Sequence, residues 1–314
     1  ESIKVTVSQS EFINNIKNKG RLIESLLHFL AAQGVTVKQA SADADTLIVS
    51  TALEQDGRPV VVAGTDTDLL VSLVARSSEQ QEVYMYCPSA NAALQKLYKV
   101  SAVQCVLEHV KENMLFLHAI TGCVTTSALY NQGKRKAYKC LKNNRRLSEE
   151  MTIFNNNIVT QDAIAAAGEK FLLELYGGAT FNTLDEYRFF AYTRSIARKS
   201  VHETFSLAIL PPTSAAARQH SLRTYLQVQQ WLGHELITTE WGWKEHKGTL
   251  LPITSELEPV PQRLINLVSC KCKSGCTQSC GCRRSGASCS AMCANCMGIS
   301  CTNIPVPYGE TNLE

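Results

Sequence analysis

The sequence predicts an α/β protein that ends in a small cysteine-rich module. Helix-like and strand-like periodicities alternate over residues 10–87, which implies a parallel sheet flanked by helices. The chain from about residue 91 reads as mainly helical. Nine of the thirteen cysteines crowd between Cys270 and Cys301.

Each element has a local reason. Phe12, Ile13, Ile16, Ile23, Leu26, Leu27 and Leu30 recur near the helical period and predict a helix over 10–33, with Gly34 past its end. "VTVKQA" (35–40) alternates like a strand. A second helix is expected from Asp43 through "TLIVSTALEQ", and "DGRP" (56–59) is a turn. "VVVAG" (60–64) is short and β-branched, as buried parallel strands are. "DLLVSLVARS" predicts the next helix and "EVYMYC" the next strand. Further along, "FNNN" (154–157) reads as a loop, and 160–233 as several helices. One of these starts after Pro211-Pro212, capped by Thr213 or Ser214, and stops near Gly233. Residues 239–253 predict a hairpin and "ELEPVPQ" (256–262) a linker. The expected division is 1–150 as the α/β domain, 151–262 as a helical region, 263–304 as the cysteine module and 305–314 as a tail.

With 314 residues and 45% hydrophobic content, the chain has enough apolar material for a large core. A net charge of +3 does not by itself mark a nucleic-acid partner, so the placement of charge matters more. "GKRKAYKCLKNNRR" (133–146) holds Lys134, Arg135, Lys136, Lys139, Lys142, Arg145 and Arg146 without an acid. No apolar run approaches the roughly 20 residues that span a bilayer, and no basic-then-apolar leader is visible. No Gly-x-Gly-x-x-Gly follows a strand, which argues against a dinucleotide fold. The seven histidines form no metal-ligand spacing, and His118 reads as a core residue.

The cysteine segment runs Cys270-x-Cys272-x3-Cys276-x3-Cys280-x-Cys282-x6-Cys289-x3-Cys293-x2-Cys296-x4-Cys301. So few apolar side chains lie between these cysteines that metal bonds must supply the folding energy. Nine thiolates satisfy three tetrahedral zinc ions if three sulfurs bridge, leaving a charge of −3 that Lys271, Lys273, Arg283 and Arg284 offset. The segment resembles a tesmin-type CXC domain, including Asn303 shortly after the last cysteine. That resemblance implies three structural zinc ions and DNA binding. The spacing over Cys293–Cys301 departs from the family pattern, as does Ser279 where the family has an aromatic residue.

Two Asp-x-Asp pairs stand at successive strand ends: Asp43 and Asp45, then Asp66 and Asp68 in "GTDTDLL". Ligands of parallel sheets sit beyond the carboxyl ends of the strands. Each pair could cap a helix, or the four could converge on cations, since two-metal phosphodiester chemistry needs several carboxylates. The stretch resembles the internal region of flap-endonuclease and XPG-type nucleases, members of the PIN-like fold, over roughly residues 20–145. "FLHAITGCVTTSALYNQGKRKAYKCL" (116–141) continues the likeness into a backbone-binding helix–two-turn–helix, with Gly133 and Lys134 at its corner. It is also similar to transposon-like animal proteins that join this fold to a CXC-like tail.

The resemblance implies Asp43, Asp45, Asp66 and Asp68 as ligands of catalytic Mg²⁺ or Mn²⁺. It implies a nucleic-acid grip, on DNA, by Gly133, Lys134, Arg135 and Lys136, joined by the tail's Lys271, Lys273, Arg283 and Arg284. Val124 stands where the family has an Asp, and residues 1–9 offer only Glu1 for an acid from an earlier strand. The start at Glu1 without Met fits a fragment whose N-terminal part lies upstream. The expectation is therefore a nuclear (or cytoplasmic), nuclease-like nucleic-acid-binding protein with an incomplete centre. An active Mg²⁺-dependent structure-specific endonuclease and a transposon-derived binding remnant are the alternatives.

Overall fold

The computed structural model describes residues 7–40, 43–55, 57–197, 206–255 and 270–303, less 274, 285, 291, 292 and 294. The expected linker 256–262 and tail 305–314 lie outside the described residues. The chain forms two compact units, Glu1–Pro252 and Ile253–Glu314.

The first unit is a mixed α/β body. The expected helix over 10–33 is two helices, α1 (Gln9–Asn14) and α2 (Ile16–Ala32). Asn15 separates them: its backbone is extended, and its Oδ1 accepts from Lys17 N–H and Asn18 N–H. Asn competes for backbone donors in this way wherever it interrupts a helix. The strand expected over 35–40 is absent, because no neighbouring strand offers this segment a ladder among the described residues. Next come α3 (Ala44–Leu53), β1 (Val60–Ala63), α4 (Thr67–Arg76) and β2 (Val83–Cys87).

β1 and β2 pair in parallel, from Val60↔Val83 to Ala63↔Tyr86. β3 (Lys96–Lys99) then pairs antiparallel with β2, from Tyr84↔Lys99 to Cys87↔Lys96. The parallel pair matches expectation; β3 and its reversed direction do not. The three strands run in the order β1-β2-β3, so β2 is central and buries Val83 and Met85 against Val49, Leu69 and Leu73. This is the smaller core of the unit.

The larger core gathers around α6 (Met114–Ile120), α9 (Gln161–Tyr176) and α11 (Ser214–Leu232). α5 (Val100–Leu107) precedes them, and between them in sequence lie α7 (Lys134–Asn143), α8 (Arg145–Met151) and α10 (Leu184–Ala197). Phe116, Phe154 and Phe171 pack at its centre, with Phe116 4.4 and 4.9 Å from the other two rings in tilted and edge-on contacts. Gly168 lets α9 and α11 touch, because a Cβ there would meet Ser221 Oγ at 1.9 Å. Residue 150, the expected boundary, lies inside α8, and this core takes side chains from both sides of it.

α11 begins and ends as its sequence predicts. Thr213 Oγ1 accepts from Ala216 N–H, and Gly233 closes the helix at φ +89°. The hairpin is also present, as β4 (Trp243–His246) and β5 (Thr249–Pro252). "FNNN" begins inside a short 3-10 turn over Thr152–Asn155, which buries Phe154. Among the described residues no helix is long and apolar enough to cross a membrane.

Candidate functional site

The first unit brings the four aspartates together. Asp43 caps α3 and Asp66 caps α4, their Oδ1 atoms accepting from Asp45 N–H (3.4 Å) and Asp68 N–H (3.0 Å). The same residues line one open cleft of about 900 Å³ with Asp45 and Asp68. Capping and convergence are therefore not alternatives here. The caps fix the helix starts, and the packing of α3 against α4 sets those starts side by side. Burial raises the Asp45 carboxyl to about 6, and the charges of Asp43, Asp66 and Asp68 add to the shift. The positive ends of α3 and α4 favour the negative charge gathered there.

A neutral histidine supports this wall. His118 Nε2 lies 2.6 Å from Asp68 Oδ1. His118 is buried on α6, its ring 5.6 Å from that of Trp231. Burial holds the imidazole below its ordinary pKa, so at neutral pH Nε2–H donates to the carboxylate. His118 is in the core, as expected, but its partner belongs to the candidate site.

Val124 also lines the cleft and is 94% exposed. Its loop is tightly built: Thr121 Oγ1 donates to Leu117 O (2.7 Å), and Gly122 turns at φ +111° against the Ala128 backbone. The opposite wall comes from the end of α11, with Gln227, Gln230 and Trp231, and from the segment past its Gly233 cap, with His234 and Glu235. Sequence reading missed this wall. Its one available signal was that 227, 230 and 231 recur at helical spacing ahead of the Gly233 stop.

The carboxylates are not drawn into a closed cage. Among the described residues, every group of three or more ligand side chains with atoms within 4.8 Å of one another consists of cysteines. An all-oxygen donor set at looser spacing fits a hard divalent cation that keeps much of its water.

Gly133 precedes α7 without a side-chain cap, and Gly133, Lys134, Arg135 and Lys136 are all exposed. Lys134 Nζ donates to Gly122 O at 2.8 Å, tying this corner to the Val124 loop. The basic run is less bare than its sequence suggests. Arg145 pairs with Glu149, Arg146 with Glu150 and Lys142 with Glu108.

In the second unit the thiols themselves are the core. Cys270, Cys276, Cys280, Cys282, Cys289, Cys293 and Cys296 are buried, Cys272 and Cys301 partly so, and no disulfide joins them. Cys270–Cys276 and Cys282–Cys293 have Sγ–Sγ separations of 3.6 Å, Cys276–Cys289 3.7 Å and Cys280–Cys289 3.8 Å. Zn–S bonds of about 2.3 Å in a tetrahedron give an edge of about 3.8 Å. Three four-cysteine groups overlap: Cys270 belongs to all of them, and Cys276, Cys280 and Cys289 to two each. Shared sulfurs are what a compact multi-ion cluster requires, so the cluster can hold metal ions.

Two further features frame the cluster. Asn303 Nδ2 donates to Ala287 O (2.9 Å) and reaches Cys289 Sγ at 3.5 Å, while Cys289 N–H donates to Asn303 O. Backbone N–H groups led by that of Arg283 push the Cys280 thiol down to about 6. Lys271, Lys273 and Arg284 are exposed, and Arg283 Nη2 donates to Thr302 Oγ1.

Comparison with protein-family models, with curated proteins and with solved structures gave no match.

Proposed function

We propose that this chain is a nucleic-acid-associated, nuclease-like protein. It has a PIN-like carboxylate cleft for Mg²⁺ or Mn²⁺ and a CXC-like tail that holds three zinc ions. The observation that carries this reading is the convergence of Asp43, Asp45, Asp66 and Asp68 from the starts of α3 and α4 on one cleft. Asp45, raised by burial and further by the charges of Asp43, Asp66 and Asp68, belongs to a group of four carboxylates that has a ready partner in a dication. Such an ion would supply charge stabilisation at a phosphate. The protein's own share is to orient ligands: Asp43 and Asp66 through their caps, Asp68 through His118.

Val124 leaves the cleft one carboxylate short of the nuclease pattern, so binding outweighs turnover in this reading. The exposed corner Gly133–Lys136 beside the Val124 loop suits a phosphate backbone, as do Lys271, Lys273 and Arg284 in the tail, with Arg283 in support. DNA is the proposed partner and the nucleus the proposed location, the basic run serving for import.

The test is Mg²⁺- or Mn²⁺-dependent cleavage of labelled flap, hairpin and single-stranded DNA by the zinc-loaded protein. Asp66→Ala/Asp68→Ala and Val124→Asp forms run beside it. The expected result is retention of DNA in a gel shift, little cleavage by the native chain, and a gain in the Val124→Asp form. Cleavage by the native chain that the double Ala form loses would show a complete centre. Failure to retain any of the DNAs would sink the reading.

A further inference from the structure

The wall facing the aspartates has a chemistry of its own. Gln227 and Gln230 lie one turn apart near the end of α11, and His234 follows just past the Gly233 cap. All three line the cleft. None of these three is an acid, in contrast to the wall opposite, although Glu235 lines the cleft beside them.

The hydrogen-bonding sense of two of these groups is set by their neighbours. Gln229 Nε2 donates to Phe154 O at 2.7 Å, and its Oε1 must therefore accept. That Oε1 lies 2.7 Å from His234 Nδ1, so Nδ1 carries the proton. In the neutral ring Nε2 is then a lone-pair acceptor, and it makes no other hydrogen bond among the described residues. The backbone locks the ring further, because His234 N–H also returns to Gln229 O at 2.9 Å. Gln227 is fixed in the opposite sense. Its Oε1 accepts from Thr125 Oγ1, which leaves its Nε2 amide to donate.

The wall thus displays a donor and an acceptor with fixed senses. A phosphodiester, which only accepts, cannot satisfy the Nε2 lone pair of the uncharged ring. A group that both donates and accepts can, and nucleotides carry two of that kind: the base edge and the ribose 2′-hydroxyl. Trp231 is 3% exposed, so its ring is not offered for stacking. Recognition must come from the polar stripe.

We propose that the Gln227–Gln230–His234 stripe reads the donor–acceptor edge of an unpaired nucleotide whose phosphate lies on the aspartate side. The inference rests on the nucleic-acid reading above. It adds that single strands are preferred, since a paired base has spent its Watson–Crick edge.

Fluorescence anisotropy on the zinc-loaded full chain with Ca²⁺ tests it. The probes are a labelled single-stranded DNA, its duplex, the matching single-stranded RNA, and abasic forms of both single strands. The expected result is a preference of about tenfold for the base-bearing strand over the abasic one, the scale of one good base contact. His234→Ala and Gln230→Ala should bring that ratio near one while the affinity for the abasic strand stays put. Circular dichroism of both variants checks the fold, and exposed Gln230 is the safer of the two positions. An RNA preference that survives abasic substitution and is lost in the variants assigns the stripe to the 2′-hydroxyl and overturns the base-edge reading. Equal wild-type affinity for base-bearing and abasic DNA and RNA overturns it, as does a parallel loss of all strands in the variants. No binding of any strand overturns the nucleic-acid reading itself.

Discussion

His118 Nε2 sits 2.6 Å from Asp68 Oδ1, linking the wall of an open cleft to a side chain of the buried α6. Only 4% of the His118 side chain and 17% of the Asp68 side chain are exposed. Solvent therefore cannot replace the bond if it is lost. We expect His118→Phe to destabilise the first unit by about 1–3 kcal/mol, the usual cost of stripping a charged acceptor of its buried partner. We also expect it to weaken Mn²⁺ binding in the cleft by roughly 10–100-fold, as loss of an orienting partner does elsewhere. Thermal melts and a Mn²⁺ titration read the two effects separately, and full Mn²⁺ affinity in the variant would remove His118 from the site.

Asp45 makes a pH prediction with a definite sign. Its carboxyl is raised from 3.8 to about 6 in the folded protein, so the folded state holds a proton that the unfolded state releases. The cation-free protein should lose stability as pH rises from about 4 through 6. Asp45 is partly exposed, and discounting for solvent screening leaves a loss of about 1 kcal/mol. Asp45→Asn should flatten this slope. Mg²⁺ should restore the stability of the native chain above pH 6 and do so far less in the variant, measured by denaturant unfolding over that range.

His220 carries the opposite sign. It is buried on α11 with Nε2 2.8 Å from Ile120 O, and burial pushes its pKa down from 6.5 to about 4. The unfolded chain takes up a proton below pH 6.5 that the folded chain refuses until about 4. Stability should fall across that window by about 3 kcal/mol. In His220→Gln, which keeps a donor for Ile120 O, the component due to this side chain should vanish from the pH profile.

Asn303 closes the thiol cluster by bonding to Ala287 O and Cys289 Sγ at once. Asn303→Ala should speed zinc transfer to a chromophoric chelator, with a loss of zinc affinity of roughly tenfold or more. Native mass spectrometry of the unmutated chain should show three zinc ions. A fully zinc-free chain of undiminished structure at Cys270–Cys301 would contradict the metal-built core.

Legibility in the sequence followed how local each feature is. The α11 boundaries needed only Pro212, Thr213 and Gly233, and the hairpin needed only Lys247-Gly248 between two short strands. The carboxylate pairs were readable because each follows a β-branched or alternating run. β3 was missed because "KLYK" is too short to show a period, and its pairing with β2 is decided by tertiary context. The strand expected at 35–40 failed for the converse reason: it has the alternation but no ladder partner. The place of the α11 wall opposite the aspartates could not be read, since its residues lie more than 150 positions from Asp43–Asp68 and only packing joins them. His118 read correctly as buried, while its bond to Asp68 required the fold.

The contact of Gly168 with Ser221 bears on how the cleft can breathe. Thirteen of the nineteen residues of α11 are buried, and at Gly168 it lies against α9 with no room for a methyl group. α3, by contrast, buries only Val49 and Ala52. α4, which starts at Asp66 and Asp68, buries Leu69, Val71, Ser72, Leu73 and Val74. Of the helices around the cleft, α3 is therefore the one least held by packing, and any change in the cleft's width falls on Asp43 and Asp45 before it falls on α11.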